Sequence, residues 1–279
     1  MIEVGPNSYG KSAIRLVKVD RGSAVHRVRD LTIAIALEGD FAASYSEGDN
    51  SGVIATDTMK NTAYALAGEH LTGAIEDFGL ALGRHFLGER QVERVRVSIA
   101  EHAWRPIGAA PDAFTRDASE TRTAVLVVGR EGTSVRAGID DLAVMKTTRS
   151  AFSGFPRDRF TTLKETEDRI MATKVSASWS YVQGAPVVFD PSFDGVRATF
   201  LETMADHFSV SVQASIWIIG KAILERHPEV AEVSMSLPNL HHWTVDLSPF
   251  GIENDREVYI STTEPHGLIE ATIRRTEIA

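Results

Sequence analysis

The chain of 279 residues contains no cysteine. That excludes a disulfide framework, a cysteine nucleophile, thiolate zinc sites and cysteine-held iron–sulfur clusters. Long apolar runs are missing as well: the run at 216–219 is far below the ~20 residues that a membrane-crossing helix needs. The first eleven residues have no apolar core of the secretory kind. The ending at 274–279 matches no peroxisomal address of the Ser-Lys-Leu type. Cytoplasm is therefore the expected compartment. An excess of positive charge is also lacking. Lys and Arg total 29 against 38 Asp and Glu, a formal net charge of −9. With no basic low-complexity tail, neither nucleic acid nor membrane is an expected partner. What is present is an ordinary globular composition, 43% hydrophobic and 24% charged, sufficient for a sizeable core without staples.

Common catalytic signatures are scarce. There is no G-x-G-x-x-G and no G-x-S-x-G. Gly10-Lys11-Ser12 resembles the end of a Walker loop, but the upstream glycine is read as missing at the required spacing, so no phosphate site is expected. Nine histidines invite a metal, yet only His241-His242 are close in sequence. Neighbours on a strand point to opposite faces, so that pair is not expected to share an ion.

The periodicity defines two halves with the same order of elements. In the first, residues 14–19 and 31–37 read as paired strands, with Leu31, Ile33, Ile35 and Leu37 on the greasier face. A helix is expected over 58–67. Ile75, Phe78, Leu82 and Phe86 form a second helical stripe. Strands follow at 92–99 and 123–128. In the second half a strand is expected at 176–181, with 161–171 ambiguous. A helix runs over 194–208 after a Pro191-Ser192 start, and Val212, Ile216, Ile219 and Ile223 make another stripe ending near Pro228. Strands close the chain at 230–237, 243–247, 257–260 and 268–274. The organisation expected is an internally duplicated α+β protein, divided into 1–145 and 146–279.

Several polar clusters stand out, each with a plain structural explanation beside it. Lys11 at the mouth of the first strand is, on composition alone, a solvated lysine. Thr56 or Asp57 reads as a helix N-cap, although helix N-termini also present N–H groups to electron-rich ligands. The loop around Phe152 is accounted for by packing, Arg169 beside Asp168 by a surface ion pair, and Gln213 by simple exposure. Asn239 and His241, two apart in an extended segment, are expected to project to one side.

Together these segments carry more than they do singly. NSYGKSAIRLVKV, IATDTMKNTAYALA, FSGFPRDRFTTLKETEDRIMAT, SVQASIW and SLPNLHHWTVDL, in order across nearly the whole chain, resemble the urate oxidase (uricase) family. The resemblance implies tandem tunnelling-fold (T-fold) domains, antiparallel sheets with helix pairs on one face. It further implies a homotetramer whose sheets close into a barrel around a tunnel, with active sites at subunit interfaces. The implied reaction is cofactor-free oxidation of urate by O2 and water to 5-hydroxyisourate and hydrogen peroxide, with O2 as co-substrate and no metal. By resemblance, Arg169, Gln213, the Val212 backbone and Phe152 hold the purine. Thr56 and Asp57 meet it from a neighbouring chain. Lys11, Thr56 and His241 relay protons, and Asn239 holds O2 or water. Ser153 departs from the bulky residue many relatives place after the aromatic ring. The rivals are a metal-dependent T-fold enzyme acting on pterins or guanine nucleotides, for which no ligand set is visible, and a purine- or pterin-binding scaffold without catalysis.

Overall fold

The computed structural model of the chain describes residues 2–276, without the side chains of 117–119. Residues 277–279 of the ending considered above lie outside the described part. The chain divides into two compact units. One runs through Ile139 and includes Ser180–Phe193; the other comprises Asp140–Trp179 and the residues from Asp194 onward.

The first unit contains β1 (Tyr9–Asp20), β2 (Arg27–Gly39), a short α1 (Ala42–Ser46), α2 (Thr56–His70), α3 (Ile75–Leu87), β3 (Val92–Pro106) and β4 (Phe114–Gly129). Strands β1 to β4 pair antiparallel in chain order. The alternation read from the sequence decides which face is covered: Leu31, Ile33, Ile35 and Leu37 of β2 are buried together with Val95, Val97 and Ile99 of β3. Phe78, Leu82 and Phe86 of α3 pack into the same cluster. Burying each such side chain is worth about 1.5–3 kcal/mol. Two glycines let α3 lie close to the sheet. A Cβ on Gly79 would stand 2.4 Å from the Leu126 side chain, and one on Gly83 would stand 2.5 Å from Val128.

After β5 (Gly132–Lys146), the chain forms β6 (Met171–Tyr181), α4 (Phe189–Asp206), α5 (Val212–Arg226), β7 (Val230–Thr244) and β8 (Tyr259–Arg274). Strands β7 and β8 pair antiparallel. The order β-β-α-α-β-β thus occurs twice, and one detail repeats with it. Lys18 at the end of β1 donates to the carbonyls of Ala67, Gly68 and Leu71 at the end of α2. Lys146 at the end of β5 donates to those of Met204, Ala205 and His207 at the end of α4. Each ammonium satisfies orphan carbonyls of a helix C-terminus and opposes the negative end of its dipole. Ala13 and Asp141, each five residues ahead of its lysine, both adopt left-handed backbone, at φ 54° and 59°.

The structure corrects several expectations. Strand β5 was not anticipated, because the polar pair Asp140-Asp141 and the left-handed turn at Asp141 break its period-two pattern. Helix α2 begins at Thr56 and α4 at Phe189, so Pro191 lies inside the first helical turn, where its missing N–H costs nothing. The four short strands expected at the end are two long ones. Strand β7 continues through Pro238 and both histidines, and β8 through the polar residues 261–267. His241-His242 are accordingly near the end of a strand, not at a start. Residues 161–170 form no regular strand or helix. Residues 5–12 do fit the full G-x-x-x-x-G-K-S spacing. However, Gly10, Lys11 and Ser12 belong to β1, and a phosphate-cradling loop needs a helix to follow it. Among the described residues no helix is long and apolar enough to cross a membrane.

Candidate functional site

The first unit assembles Lys11, Thr56 and Asp57. Gly10 lies so close to β2 that a Cβ there would come within 1.9 Å of the Ile35 carbonyl oxygen. The β1–β2 register then slips between Lys11 and Ile14, with Ala13 as the left-handed residue. Such a bulge re-aims the neighbouring side chains. The approach to α2 is tied to the same strand. The Tyr9 hydroxyl accepts from the Ile54 N–H at 2.8 Å, and Gln91 donates to the Gly52 carbonyl at 2.8 Å. Burial pushes the Tyr9 phenol up, which keeps it protonated. The N-cap of α2 is Ala55, which offers no side-chain cap. Thr56 and Asp57, expected as caps, occupy the first turn instead. Lys60 bonds Asp57 and is the main cause holding its carboxyl below the usual range. The Lys11 ammonium contributes more weakly, which places it in the same local field.

The second unit assembles Phe152, Arg169, Val212 and Gln213, and the backbone shows how. Residues 149–152 run between two other segments and bond both. The Ala151 N–H donates to the Ser209 carbonyl and the Ser209 N–H to that of Arg149, at 2.7 and 2.9 Å. On the other side the Phe152 N–H donates to the Thr166 carbonyl at 2.8 Å, and the Arg169 N–H to that of Ser150 at 2.7 Å. One short segment therefore fixes the aromatic ring, the guanidinium and the approach to α5. Ser211 caps α5, its hydroxyl accepting from the Ala214 N–H at 3.1 Å. Val212 is buried, so only its backbone can face a ligand, and its first-turn N–H has no helical carbonyl to bond.

A cavity of about 420 Å³ opens here, lined by Phe152, Ser153, Phe155, Glu167, Phe208, Val210, Ser211 and Gln213 among others. The rings of Phe152 and Phe155 are stacked at 5.0 Å and 13°, and the Arg169 guanidinium carbon is 5.5 Å from the Phe152 centroid. Arg169 is half-buried, its Nε shielded from solvent without a hydrogen-bond partner. Burial lowers its pKa, with no carboxylate opposing the effect. The adjacent Asp168 is engaged elsewhere, accepting from Arg256 at 2.5 Å, Thr148 at 2.9 Å and the Arg149 N–H at 2.9 Å. The surface ion pair expected of this segment thus belongs to Asp168, and Arg169 has no acidic partner among the described residues. A partly desolvated cation without a counter-ion is costly, and an anionic planar ligand would relieve that cost.

Asn239 and His241 lie on β7, facing a break in the β7–β8 ladder: Asn239 pairs with Gly267, but His241 pairs with Thr262. The extra residues are on β8, so β7 itself stays extended through both. The His241 ring stacks on Trp243 at 5.3 Å. Burial, then the charges of Arg169, His266 and His242, holds its pKa below the ordinary imidazole value. A neutral imidazole so placed accepts a proton.

Sequence reasoning missed three features: Phe155 as the second stacked ring, Ser211 as the cap, and the buried hydroxyls of Ser209 and Ser215. Small polar residues at 209 and 211, just before α5, and at 215 on its apolar face, were the available signal. Among the described residues no three histidine or acidic side chains gather closely enough to hold a metal ion.

Antiparallel strands carrying helix pairs, used twice in one chain, define a tandem α+β protein of the T-fold class. A family model described as Uricase matches residues 7–127 and 135–270. The chain is similar to the uricase of Arthrobacter globiformis, 46% identical over 275 residues that span 98% of this chain and 90% of that one. It is 39% identical to the uricase of Dictyostelium discoideum over 97% of this chain and 96% of the other. The crystal structure of the Arthrobacter globiformis uricase superposes with a TM-score of 0.95 at 45% identity, covering 100% of this chain and 97% of that one. The chain belongs to the uricase family.

Proposed function

We propose that the protein oxidises urate with O2 and water to 5-hydroxyisourate and hydrogen peroxide, without a metal or organic cofactor. It would act as a cytoplasmic step of purine breakdown. The observation that carries this reading is the half-buried Arg169 guanidinium, which lacks a counter-ion among the described residues and stands beside Phe152, whose ring lines a cavity together with Gln213. The planar fork of arginine supplies parallel donors to the acceptors on one edge of a purine anion. A glutamine amide offers a donor and an acceptor side by side to another edge. The Val212 N–H adds a backbone donor, and an aromatic ring suits a flat heterocycle.

Urate held as its anion is electron-rich, so the substrate itself supplies the two electrons that reduce O2 to hydrogen peroxide. Water then adds to the oxidised ring. The chain must hold the two reactants together and move protons, a contribution of about 10²–10⁴-fold for a well-placed acid–base group. We assign the proton relay to Lys11, Thr56 and His241, and the holding of O2 or water to Asn239. Thr56 and Asp57 would meet the purine from a neighbouring chain. A homotetramer would bring the Lys11 cluster of one subunit to the Phe152–Arg169–Gln213 cluster of another, each subunit built from two T-fold halves, the second opening with β5 rather than at residue 146.

Urate consumption and O2 uptake, measured together on chelator-treated protein of verified metal content, test the reading. Equal loss of urate and O2 with peroxide formed is the expected result. Activity that returns only on adding iron, copper or a flavin overturns it, and urate binding without turnover identifies a scaffold. Lys11→Met should lower turnover at saturating urate; an unchanged rate removes Lys11 from the relay.

A further inference from the structure

Beneath the pocket lies a chain of hydrogen bonds that the reaction above does not use. The hydroxyls of Ser209 and Ser215 are 2.8 Å apart, and Ser215 Oγ is 2.8 Å from His207 Nε2. His207 Nδ1 is 2.6 Å from the Thr203 carbonyl oxygen. A carbonyl only accepts, so Nδ1 carries the hydrogen and Nε2 of the neutral ring accepts. The directions follow: Ser209 donates to Ser215, Ser215 to His207, and His207 to Thr203. Ser209 and Ser215 are fully buried, where losing a partner costs more than forming the bond gained.

The three residues belong to three different supports of the pocket. His207 and Thr203 are at the end of α4. Ser215 is in the first turns of α5, beside Val212 and Gln213. Ser209 bonds the backbone of Arg149 and Ala151, the segment that ends in Phe152. We propose that Ser215 and His207 are positioning residues of this pocket, the chain Ser209–Ser215–His207 setting where Gln213 and the Val212 N–H stand relative to the Phe152 ring. The proposal rests on the purine-site reading given above.

A second hydroxyl–histidine bond joins the same two helices and serves as an internal control. Thr199 Oγ1 of α4 is 3.0 Å from Nε2 of His227, the residue that ends α5. It lies about 20 Å along the helix from Val212, at 1.5 Å per residue. Ser215→Ala and Thr199→Val each delete one buried hydroxyl between α4 and α5, near to and far from the pocket.

The experiment measures thermal midpoint, KM and kcat for urate, and Kd for xanthine, a related flat purine that need not turn over. Ser215→Ala should raise KM and xanthine Kd together by about three- to tenfold, the weight of one hydrogen bond, with kcat changed less. Thr199→Val should lower the midpoint and leave KM and Kd unchanged. His207→Gln, which keeps a donor and an acceptor, should stay near wild type in KM where His207→Leu does not; this pair decides the matter should Ser215→Ala fail to fold. Equal effects of the near and far variants on KM, or a Ser215→Ala that moves only the midpoint, overturn the proposal. A wild-type protein that neither binds xanthine nor consumes urate removes the functional reading and this inference with it; an active wild type with a silent Ser215→Ala removes the inference alone.

Discussion

Arg169 stands with its guanidinium carbon 5.5 Å from the centroid of Phe152, while the carboxylate next to it in sequence, Asp168, pairs with Arg256. On the proposed reading the charge is held for the ligand rather than for the fold, and its removal should separate stability from binding. Arg169→Met is expected to match or exceed the wild-type thermal midpoint without ligand, because an unpaired, partly desolvated charge is deleted. It should also lose the rise in midpoint that saturating urate or xanthine produces. Calorimetry with and without ligand checks both. A variant that unfolds readily on its own would mean that Arg169 is structural.

Gly10 tests the scaffold behind Lys11. A Cβ at this position meets the Ile35 carbonyl at 1.9 Å, and backbone does not move aside as a side chain would. Gly10→Ala should cost about 1–3 kcal/mol through strain. It should also lower turnover more than Gly68→Ala, where a Cβ has open space. Chemical denaturation and steady-state rates measure the two effects.

The pH dependence has a definite sign. Burial is the leading cause that lowers the pKa of His102, His207 and His241. The folded protein therefore binds fewer protons than the unfolded chain near and below the ordinary imidazole value of about 6.5. Their contribution to stability is complete above that value and is lost as pH falls through it toward the folded values. Urea midpoints should decline on acidification from pH about 7 toward 5, and His102→Gln should make the decline shallower. For activity, a His241 base that stays neutral to lower pH puts the acid limb of kcat/KM below the ordinary imidazole value, and His241→Gln should remove that limb.

The two capping lysines should behave alike. Lys18→Met and Lys146→Met each strip three helix-end carbonyls of one donor. Each is expected to cost about 1–3 kcal/mol. A loss at only one of them, read from denaturation midpoints, would break the equivalence of the two halves.

The sequence made much of this architecture legible, for physical reasons that differ by residue. Leu31 to Leu37 and the Ile75–Phe86 stripe have one covered face each, so their periods survive as text. Strand β5 escaped because Asp140-Asp141 interrupts the alternation at a left-handed residue. The length of β7 and β8 escaped because exposure on both faces of 261–267 leaves no greasy face to read. Among the candidate site residues, Arg169 looked like half of a surface ion pair; only the hydrogen bonds of Asp168 show that the acid pairs with Arg256 instead. The cluster of Phe152 with Gln213 depends on backbone bonds from 149–152 to Ser209 and Thr166, long-range pairings that no local pattern announces.

The left-handed residues Ala13 and Asp141 have a further consequence. Two positions before each stand Lys11, partly exposed, and Ile139, buried. The main chain follows a similar path in both places and tolerates an amine in one and a hydrocarbon in the other. If Lys11 acts in the proposed relay, reactivity at this spot is separable from foldability, and an apolar residue at position 11 would silence turnover in a protein that still folds.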